Sequence, residues 1–231
     1  MPEARFDLHL HTEFSPDCDT PLESIEAHCL ALGLTGIAVT DHDSIEGALR
    51  LRERVKTLRV IVGQEVTTRD GDVIGLFIKE RVARGLSAAD TMTAIHAQGG
   101  LVYLPHPFDR HKARRSRGAS LASVLAQVDI MEAFNGKVGR PIYNTMAAEF
   151  ALQHGKIPAG GSDAHSLRAI GTVYNAFALP EGWDNDPQAF LAALAEAQIV
   201  GKRRSPIGGW LVFGRRPLSM AWRRLHQRHK R

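Results

Sequence analysis

The segment Arg5-Phe6-Asp7-Leu8-His9-Leu10-His11 places two histidines two residues apart in a stretch that we interpret as a β-strand. In an extended strand, residues i and i+2 project from the same face, so His9 and His11 can aim two imidazoles at one point. The same spacing returns far along the chain, at Asp163-Ala164-His165. The sequence therefore predicts two pairs of metal donors at opposite ends of residues 1–165.

Further imidazoles and carboxylates stand between these pairs, most of them where a predicted strand ends. The candidate metal ligands are His9, His11, Asp17, His42, Glu65, His106, Glu132, Asp163 and His165. In parallel βα architectures, sites assemble at the carboxyl ends of strands, so ligands distant in sequence can meet. Imidazole and carboxylate without thiolate suit Zn²⁺, Mn²⁺ or Fe²⁺, with Mg²⁺ possible. Nine such donors exceed what one ion takes, so we expect two or three divalent ions.

Apolar segments of strand and helix type alternate along the chain, which indicates an α/β fold with parallel βα units. Asp70-Gly71 between two short strands predicts a hairpin. The predicted strands are 5–11, 35–40, 60–62, 66–68, 73–78, 101–104, 129–132, 157–160 and 172–179. The predicted helices are 21–32, 44–56, 87–98, 120–127, 141–154 and 187–198, with Ser44 and Ser87 as N-caps. Strand order and barrel closure do not follow from this pattern.

Composition places the chain among ordinary globular proteins. With 231 residues and 44% hydrophobic content, it fits one large domain. Cys18 and Cys29 are interpreted as free thiols in a reducing compartment. The first residues lack the apolar region of a signal peptide, and no stretch reaches the roughly 18 apolar residues of a membrane span. We therefore expect a cytoplasmic protein with no evident obligate protein partner.

Charge divides the chain into two parts. Of its 29 Lys and Arg residues, ten lie in 202–231, a segment without Asp or Glu, so residues 1–201 carry 19 basic and 25 acidic groups. We predict a domain over 1–201 and a basic C-terminal tail over 202–231. The tail could form an amphipathic helix that contacts an anionic membrane or nucleic acid. A docked or disordered terminus is the alternative.

Other polar residues near the candidate ligands have predicted supporting roles. Asp7, Asp41 and Asp43 stand next to ligand histidines and could orient their rings, although caps or turn residues would look the same. Five basic residues follow His106 between positions 110 and 117. A basic loop beside a metal site would attract phosphate. The candidate phosphate contacts are Arg114, Arg115, Arg140 and Arg168.

Six segments together resemble the PHP family, named for polymerase and histidinol phosphatase. They are Asp7-Leu-His-Leu-His-Thr12, Ser15-Pro-Asp17, Gly36-Ile-Ala-Val-Thr-Asp-His-Asp43, Gly63-Gln-Glu-Val-Thr-Thr68, Pro105-His-Pro-Phe108 and Gly161-Ser-Asp-Ala-His165. The resemblance spans about residues 5–200 and implies a distorted (β/α)7 barrel with a trinuclear site at its carboxyl face. Lys79–Leu86 are too few to hold the helical domain that some longer members insert after the hairpin, so the chain resembles the short form.

The resemblance also implies how the ligands divide among the ions. His9, His11, Glu65 and Asp163 would surround a first ion. Glu65 would bridge to a second ion that takes His106 and Glu132, although many members have His or Cys where Glu132 stands. Asp17, His42 and His165 would hold a third ion.

These features predict a metal-dependent phosphoesterase that hydrolyses small phosphomonoesters or nucleotides. A metal-bound hydroxide would attack phosphorus, without a protein nucleophile. A nuclease acting on oligonucleotide ends is one alternative, in which the basic loop and tail form a path for the strand. A non-catalytic, metal-stabilised binding module is another.

Overall fold

The computed structural model describes residues 3–109, 124–183 and 186–201, so the predicted tail 202–231 lies outside the described residues. Strands and helices alternate along the described parts. The elements are β1 (Glu3–Leu10), α1 (Leu22–Ala31), β2 (Gly36–Val39), α2 (Glu46–Arg54), β3 (Arg59–Thr68), β4 (Gly71–Leu76), α3 (Ala88–Ala97), β5 (Leu101–Leu104), β6 (Ile130–Asn135), α4 (Pro141–Gln153), β7 (Ile157–Gly161), β8 (Val173–Ala178), α5 (Pro187–Leu194) and β9 (Gln198–Gly201). Two 3-10 turns, Leu125–Gln127 and Leu167–Ala169, complete the described elements.

The strands form one sheet in the order β7-β6-β5-β4-β3-β2-β1-β8-β9. The strands β1 to β3 pair in parallel, as do β5 to β7, whereas β4 and β8 run antiparallel to both of their neighbours. The sheet curls until β7 approaches β1, where a parallel bridge joins Leu10 to Ala164. This nearly closed barrel confirms the α/β, PHP-type fold that the resemblance implied.

The buried side chain of Asn175 on β8 ties the seam of the barrel. Its Oδ1 accepts from the Gly160 amide at 2.8 Å. Its Nδ2 donates to the carbonyl oxygens of Phe6 and Gly160 at 3.1 and 2.8 Å. One amide side chain therefore satisfies backbone groups of both β1 and β7 at a place where the sheet hydrogen bonds are incomplete.

Two apolar cores pack on opposite faces of the sheet. The inner core takes residues from β1 through β8 and is packed by Phe190 and Leu194 of α5. Phe190 meets Phe6 and Phe177 edge to face, with ring centroids 5.6 and 5.5 Å apart, a favourable aromatic geometry. The outer core joins the sheet to α1, α2 and α3. Helix α5 therefore packs into the barrel interior, and the polar site lies above this apolar core.

A register shift in β1 decides which face its last residues present. The pairing of β1 with β2 is irregular between Asp7 and Leu10. Phe6 and Leu8 belong to the inner core, but Leu10 belongs to the outer one. An extra residue in one strand reverses the alternation of side chains beyond it. The shift thus turns His9 and His11 toward the inside of the barrel.

The predicted elements match the structure with local differences. The segments 60–62 and 66–68 form one strand, β3, whereas the helix predicted to reach Gln198 ends at Leu194 and Gln198 begins β9. Of the predicted helix 120–127, the described part is mainly a 3-10 turn. Ser87 caps α3 by accepting from the Asp90 amide at 3.1 Å. The prediction that Ser44 is the N-cap of α2 was wrong: the helix begins at Glu46 with Ile45 at the N-cap position, and Ser44 accepts from the Glu46 amide at 3.2 Å.

Two smaller predictions concern thiols and membrane spans. Cys18 and Cys29 are both free, and Cys29 is buried in the outer core. Among the described residues, no helix has the length and apolar character that crossing a membrane requires.

Candidate metal centre

The nine predicted ligands meet at the carboxyl-end mouth of the barrel. Seven of them lie near the end of a strand or in the loop that follows it, whereas Glu65 and Glu132 lie within β3 and β6, and most of the nine are buried. Strands that run in the same direction deliver their last residues to one rim. The contributing elements are β1 for His9, His11 and Asp17, β2 for His42, β3 for Glu65, β5 for His106, β6 for Glu132, and β7 for Asp163 and His165.

The inner part of the centre is built around the Glu65 carboxylate. Glu65 Oε2 lies 3.2 Å from His9 Nε2 and 3.3 Å from His11 Nε2. Asp163 Oδ1 stands 3.8 and 3.6 Å from the same two nitrogens. On the other side, His106 Nε2 lies 3.0 Å from Glu65 Oε1. Glu65 thus faces imidazoles with both oxygens, as a bridging carboxylate would.

The outer part of the centre is more open to solvent. His165 Nε2 lies 2.9 Å from Asp17 Oδ2, and His42 Nε2 lies 3.6 Å from the same oxygen. The rings of His11 and His165 have centroids 4.2 Å apart, so the outer donors adjoin the inner ones. The two parts form one continuous cluster.

Three overlapping groups of side chains have donor atoms that all lie within 4.8 Å of one another. The groups are His11, Asp17, His42 and His165; His9, Glu65 and His106; and His9, His11 and Asp163. Within the described part of the chain, the buried His11 Nε2 and His42 Nδ1 make no hydrogen bond. A buried polar atom without a partner is costly, and a cation would satisfy both nitrogens. The donor set therefore fits divalent ions.

The electrostatics of the cluster favour positive charge. Burial lowers the pKa of His9, but the charges of Glu132, Asp163 and Glu65 outweigh it and raise that pKa well above 6.5. Burial raises the pKa of Glu65, whereas the charge of His9 and the hydrogen bond from His106 lower it well below 4.5. Protons and metal ions compete for the same ring nitrogens in such a site.

Glu132 lies beneath the cluster and is saturated by protein donors. His9 Nδ1 and the Tyr103 hydroxyl lie 2.9 and 3.1 Å from Oε1. The His106 amide and Asn135 Nδ2 donate to Oε2 at 2.7 and 2.9 Å. Glu132 does not belong to any of the three donor groups found among the described residues.

The three predicted supporting aspartates bind backbone amides. Asp7 accepts from Ser162 and Gly171, both at 2.9 Å, which fastens β1 to the segment after β7. Asp41 accepts from the Thr12 amide at 2.6 Å, and Asp43 from the Thr67 amide at 2.9 Å. Among the described hydrogen bonds, none of the three reaches a histidine ring. The three aspartates therefore hold the loops that carry the predicted ligands, whereas the sequence-based hypothesis was that they orient the histidine rings.

Backbone strain is concentrated at the same rim. His106, Asp163 and Asp43 have φ angles of 29°, 52° and 53°, a region that side chains other than glycine rarely occupy. Such conformations persist where the surroundings impose them, and they cluster at functional sites.

Three polar residues of the centre have no counterpart in the sequence motifs. Asn135 donates to both Glu132 and Asp163, at 2.9 and 3.1 Å. Lys137 Nζ lies 2.9 Å from His165 Nε2 and 3.8 Å from Asp163 Oδ1. Tyr103 is fully buried beneath Glu132. Asn135 and Lys137 could have been identified from their place three and five residues after Glu132, at and just beyond the end of β6.

Two of the four predicted phosphate contacts, Arg140 and Arg168, lie in the described part of the chain and are less well placed than Lys137. Arg140 and Arg168 are exposed, and no described hydrogen bond or ion pair joins either side chain to the centre. Arg114 and Arg115 lie outside the described residues.

Comparison with known proteins finds two family models that match this chain and a protein that is similar to it in sequence. The family model of the PHP domain matches residues 7–124, and the PHP-associated model matches residues 141–199. The chain is 29% identical over 196 residues to the protein MJ0417 of Methanocaldococcus jannaschii, covering 82% of this chain and 78% of that one.

Solved structures share the fold at low identity. A two-domain protein of Bacteroides vulgatus, containing a predicted PHP-like metal-dependent phosphoesterase, superposes with a TM-score of 0.74 at 16% identity, over 96% of this chain and 70% of that one. The lesion-specific endonuclease EndoQ of Pyrococcus furiosus gives a TM-score of 0.65 at 16% identity, over 86% and 58%. The PHP domain match covers more than half of the sequence and includes most of the clustered donors, and the chain therefore belongs to the PHP family.

Proposed function

We propose that the chain is a metal-dependent phosphoesterase that hydrolyses small phosphomonoesters or nucleotides. The observation that carries the proposal is the cluster of imidazoles and carboxylates at the barrel mouth, with donor atoms close enough to share ions. Membership of the PHP family supports hydrolysis, and a phosphoesterase is named among the structures of the same fold.

The predicted donors of the centre form two sets, each of which would hold one ion. His9, His11, Glu65 and Asp163 would hold one ion, and Asp17, His42 and His165 another. Bound Mn²⁺, Zn²⁺ or Fe²⁺ would supply an activated water and positive charge for the phosphoryl oxygens. The buried aspartates Asp7 and Asp41 hold the ligand-bearing loops in place, so that little reorganisation is needed when substrate arrives.

Among the described residues, Lys137 is the cation best placed to contact substrate. Its ammonium lies at the open side of the cluster, beside His165, on a side chain that is 43% exposed. An ammonium on a flexible stem can follow a phosphoryl oxygen as substrate binds. We therefore assign Lys137 to the nonbridging oxygens of the phosphoryl group.

A panel of phosphoesters assayed with Mn²⁺, Zn²⁺ and Mg²⁺ in turn tests the proposed reaction. Phosphate release should require metal and should fall at least about a hundredfold in Asp163→Ala and His165→Ala, because each removes a donor. His96→Gln is the matched control, since His96 is exposed and pairs with Asp129 away from the centre. Equal activity in all three variants would contradict the proposal.

A nuclease acting on oligonucleotide ends is the second candidate. It is favoured by the fold shared with the Pyrococcus endonuclease and by the ten basic residues of 202–231. Hydrolysis of oligonucleotides without hydrolysis of mononucleotide phosphates would select it. Stable metal binding without turnover of any phosphoester would instead indicate a binding module.

A further inference from the structure

The carboxylate of Glu132 has no capacity left for a metal ion. Its two oxygens offer about four lone-pair positions. His9 Nδ1 and the Tyr103 hydroxyl occupy one oxygen, and the His106 amide and Asn135 Nδ2 occupy the other, all within 3.1 Å. The side chain is completely buried. Ligation would leave at least one buried donor unpaired, at a cost of roughly 1–3 kcal/mol.

The contact between Glu132 and His9 determines which nitrogen of the His9 ring can bind a metal ion. A ring nitrogen that donates its proton to a carboxylate leaves the other nitrogen as the ligand atom. With Nδ1 on Glu132, His9 presents Nε2 to Glu65 and Asp163. His9 can therefore serve one ion and cannot complete two of the donor groups at once.

Eight residues remain in the three donor groups, and they cannot fill three sites. If His9 and His11 join Asp163 with support from Glu65 Oε2, then Asp17, His42 and His165 form the outer set. Only Glu65 Oε1 and His106 are left for a further ion, and they lie 3.0 Å apart in direct contact. Sites that hold an ion firmly while leaving a position open usually supply three protein ligands.

We infer that Glu132 is a positioning residue for His9 and not a metal ligand, so that this chain holds two ions tightly and lacks a third tight site. The inference rests on the proposed metal-dependent function, and it departs from the prediction that Glu132 ligates an ion with His106. Glu132, Tyr103 and Asn135 then form one buried hydrogen-bond network that fixes the orientation of the His9 ring.

Metal content gives a test that does not depend on activity. The whole chain is stripped with chelator, loaded with Zn²⁺, desalted, and its metal measured by mass spectrometry beside His106→Ala and His42→Ala. We expect about two ions per wild-type chain, about two in His106→Ala, and about one in His42→Ala. Three ions in the wild type and two in His106→Ala would overturn the inference and leave the proposed function standing. One tight ion would overturn the inference alone, and none would overturn both.

Glu132→Gln tests the positioning role itself. The variant should still take up about two ions, with weaker binding of one, because an amide cannot accept from all four donors. In the Zn²⁺-loaded wild type, NMR should show a hydrogen-bonded Nδ1 proton on His9 that shifts in the variant. If any of the three variants fails to fold, anomalous diffraction from Zn²⁺-loaded wild-type crystals decides, since an ion bonded to a Glu132 oxygen would overturn the inference.

Discussion

His9 shows how a single side chain couples protonation to metal binding in this centre. One ring nitrogen faces Glu132 and the other faces Glu65 and Asp163, all in the buried interior. Burial lowers the pKa of the ring, but the three carboxylates raise it well above 6.5. His11 follows the same direction, with burial opposed by Asp163 and Glu65. Both rings therefore hold protons more firmly in the metal-free fold than in the unfolded chain.

This difference predicts opposite pH dependences for the metal-free and metal-loaded chain. A raised pKa in the fold gives stability that is complete below the unfolded value of about 6.5 and is lost as the pH rises through the folded value. The free energy of unfolding of the metal-free chain should thus fall as the pH rises from about 6.5 through the raised pKa values of His9 and His11. With Mn²⁺ in excess it should rise over the same range, because fewer protons compete with the ion. Urea titrations at several pH values measure both slopes, and equal slopes would contradict the prediction.

Lys137 gives the second prediction at the residue scale. In Lys137→Met, KM for a phosphomonoester should rise about tenfold, as expected for losing a charge-assisted hydrogen bond of roughly 1.5 kcal/mol. Lys137→Arg should recover part of the loss. Arg168→Met is the matched control, since Arg168 is exposed with no described contact to the centre. A larger effect from Arg168→Met would return the phosphate contact to the sequence-based assignment.

At the scale of elements, β7 approaches β1 so closely that position 161 has no space for a side chain. A Cβ at Gly161 would lie 2.3 Å from the Cβ of His9 and 2.7 Å from Glu132 Oε1. Gly161→Ala should therefore destabilise the chain by about 1–3 kcal/mol and weaken metal binding, because β7 must move away from the centre. Gly139→Ala, where a Cβ meets nothing within 4 Å, is the control. Thermal unfolding with and without Zn²⁺ measures both effects, and equal behaviour of the two variants would contradict this account.

Local sequence signals explain how much of these elements could be predicted. Period-2 alternation identified the strand that carries His9, the pair Asp70-Gly71 identified the hairpin, and Ser87 identified the start of α3. The register shift before Leu10 was not predictable, since it depends on how β1 pairs with β2. The strand β9 was missed because its pairing with β8 is a long-range contact.

The candidate ligands could be predicted from the sequence, but the contacts around them could not. The sequence predicted that the candidate ligands meet, because the carboxyl ends of parallel strands lie at one rim of the barrel. It could not reveal that Glu132 is surrounded by four donors, since Tyr103 and Asn135 reach it only through the fold. Nor could it separate Lys137, which lies 2.9 Å from His165 Nε2, from Arg140 and Arg168, which have no described contact with the centre.

At the scale of the whole molecule, the barrel depends on Asn175 at its seam. Asn175→Ala would leave backbone groups of β1 and β7 without partners in the interior. We expect a loss of about 3 kcal/mol in the free energy of unfolding, by the cost of unpaired buried groups. Thr93→Ala, on the exposed surface of α3, should lose less than about 1 kcal/mol. Denaturant unfolding compares them, and similar losses would remove the special role of the seam.

Reconstitution of the metal-free chain tests the central claim, that side chains from the first to the seventh strand share cations for phosphoester hydrolysis. Metal content and phosphate release are measured on the same samples as Mn²⁺ is added. We expect no turnover without metal, and turnover that rises with bound metal until the sites are full. Full turnover in the metal-free chain, or none at full occupancy with every phosphoester of the panel, would contradict it.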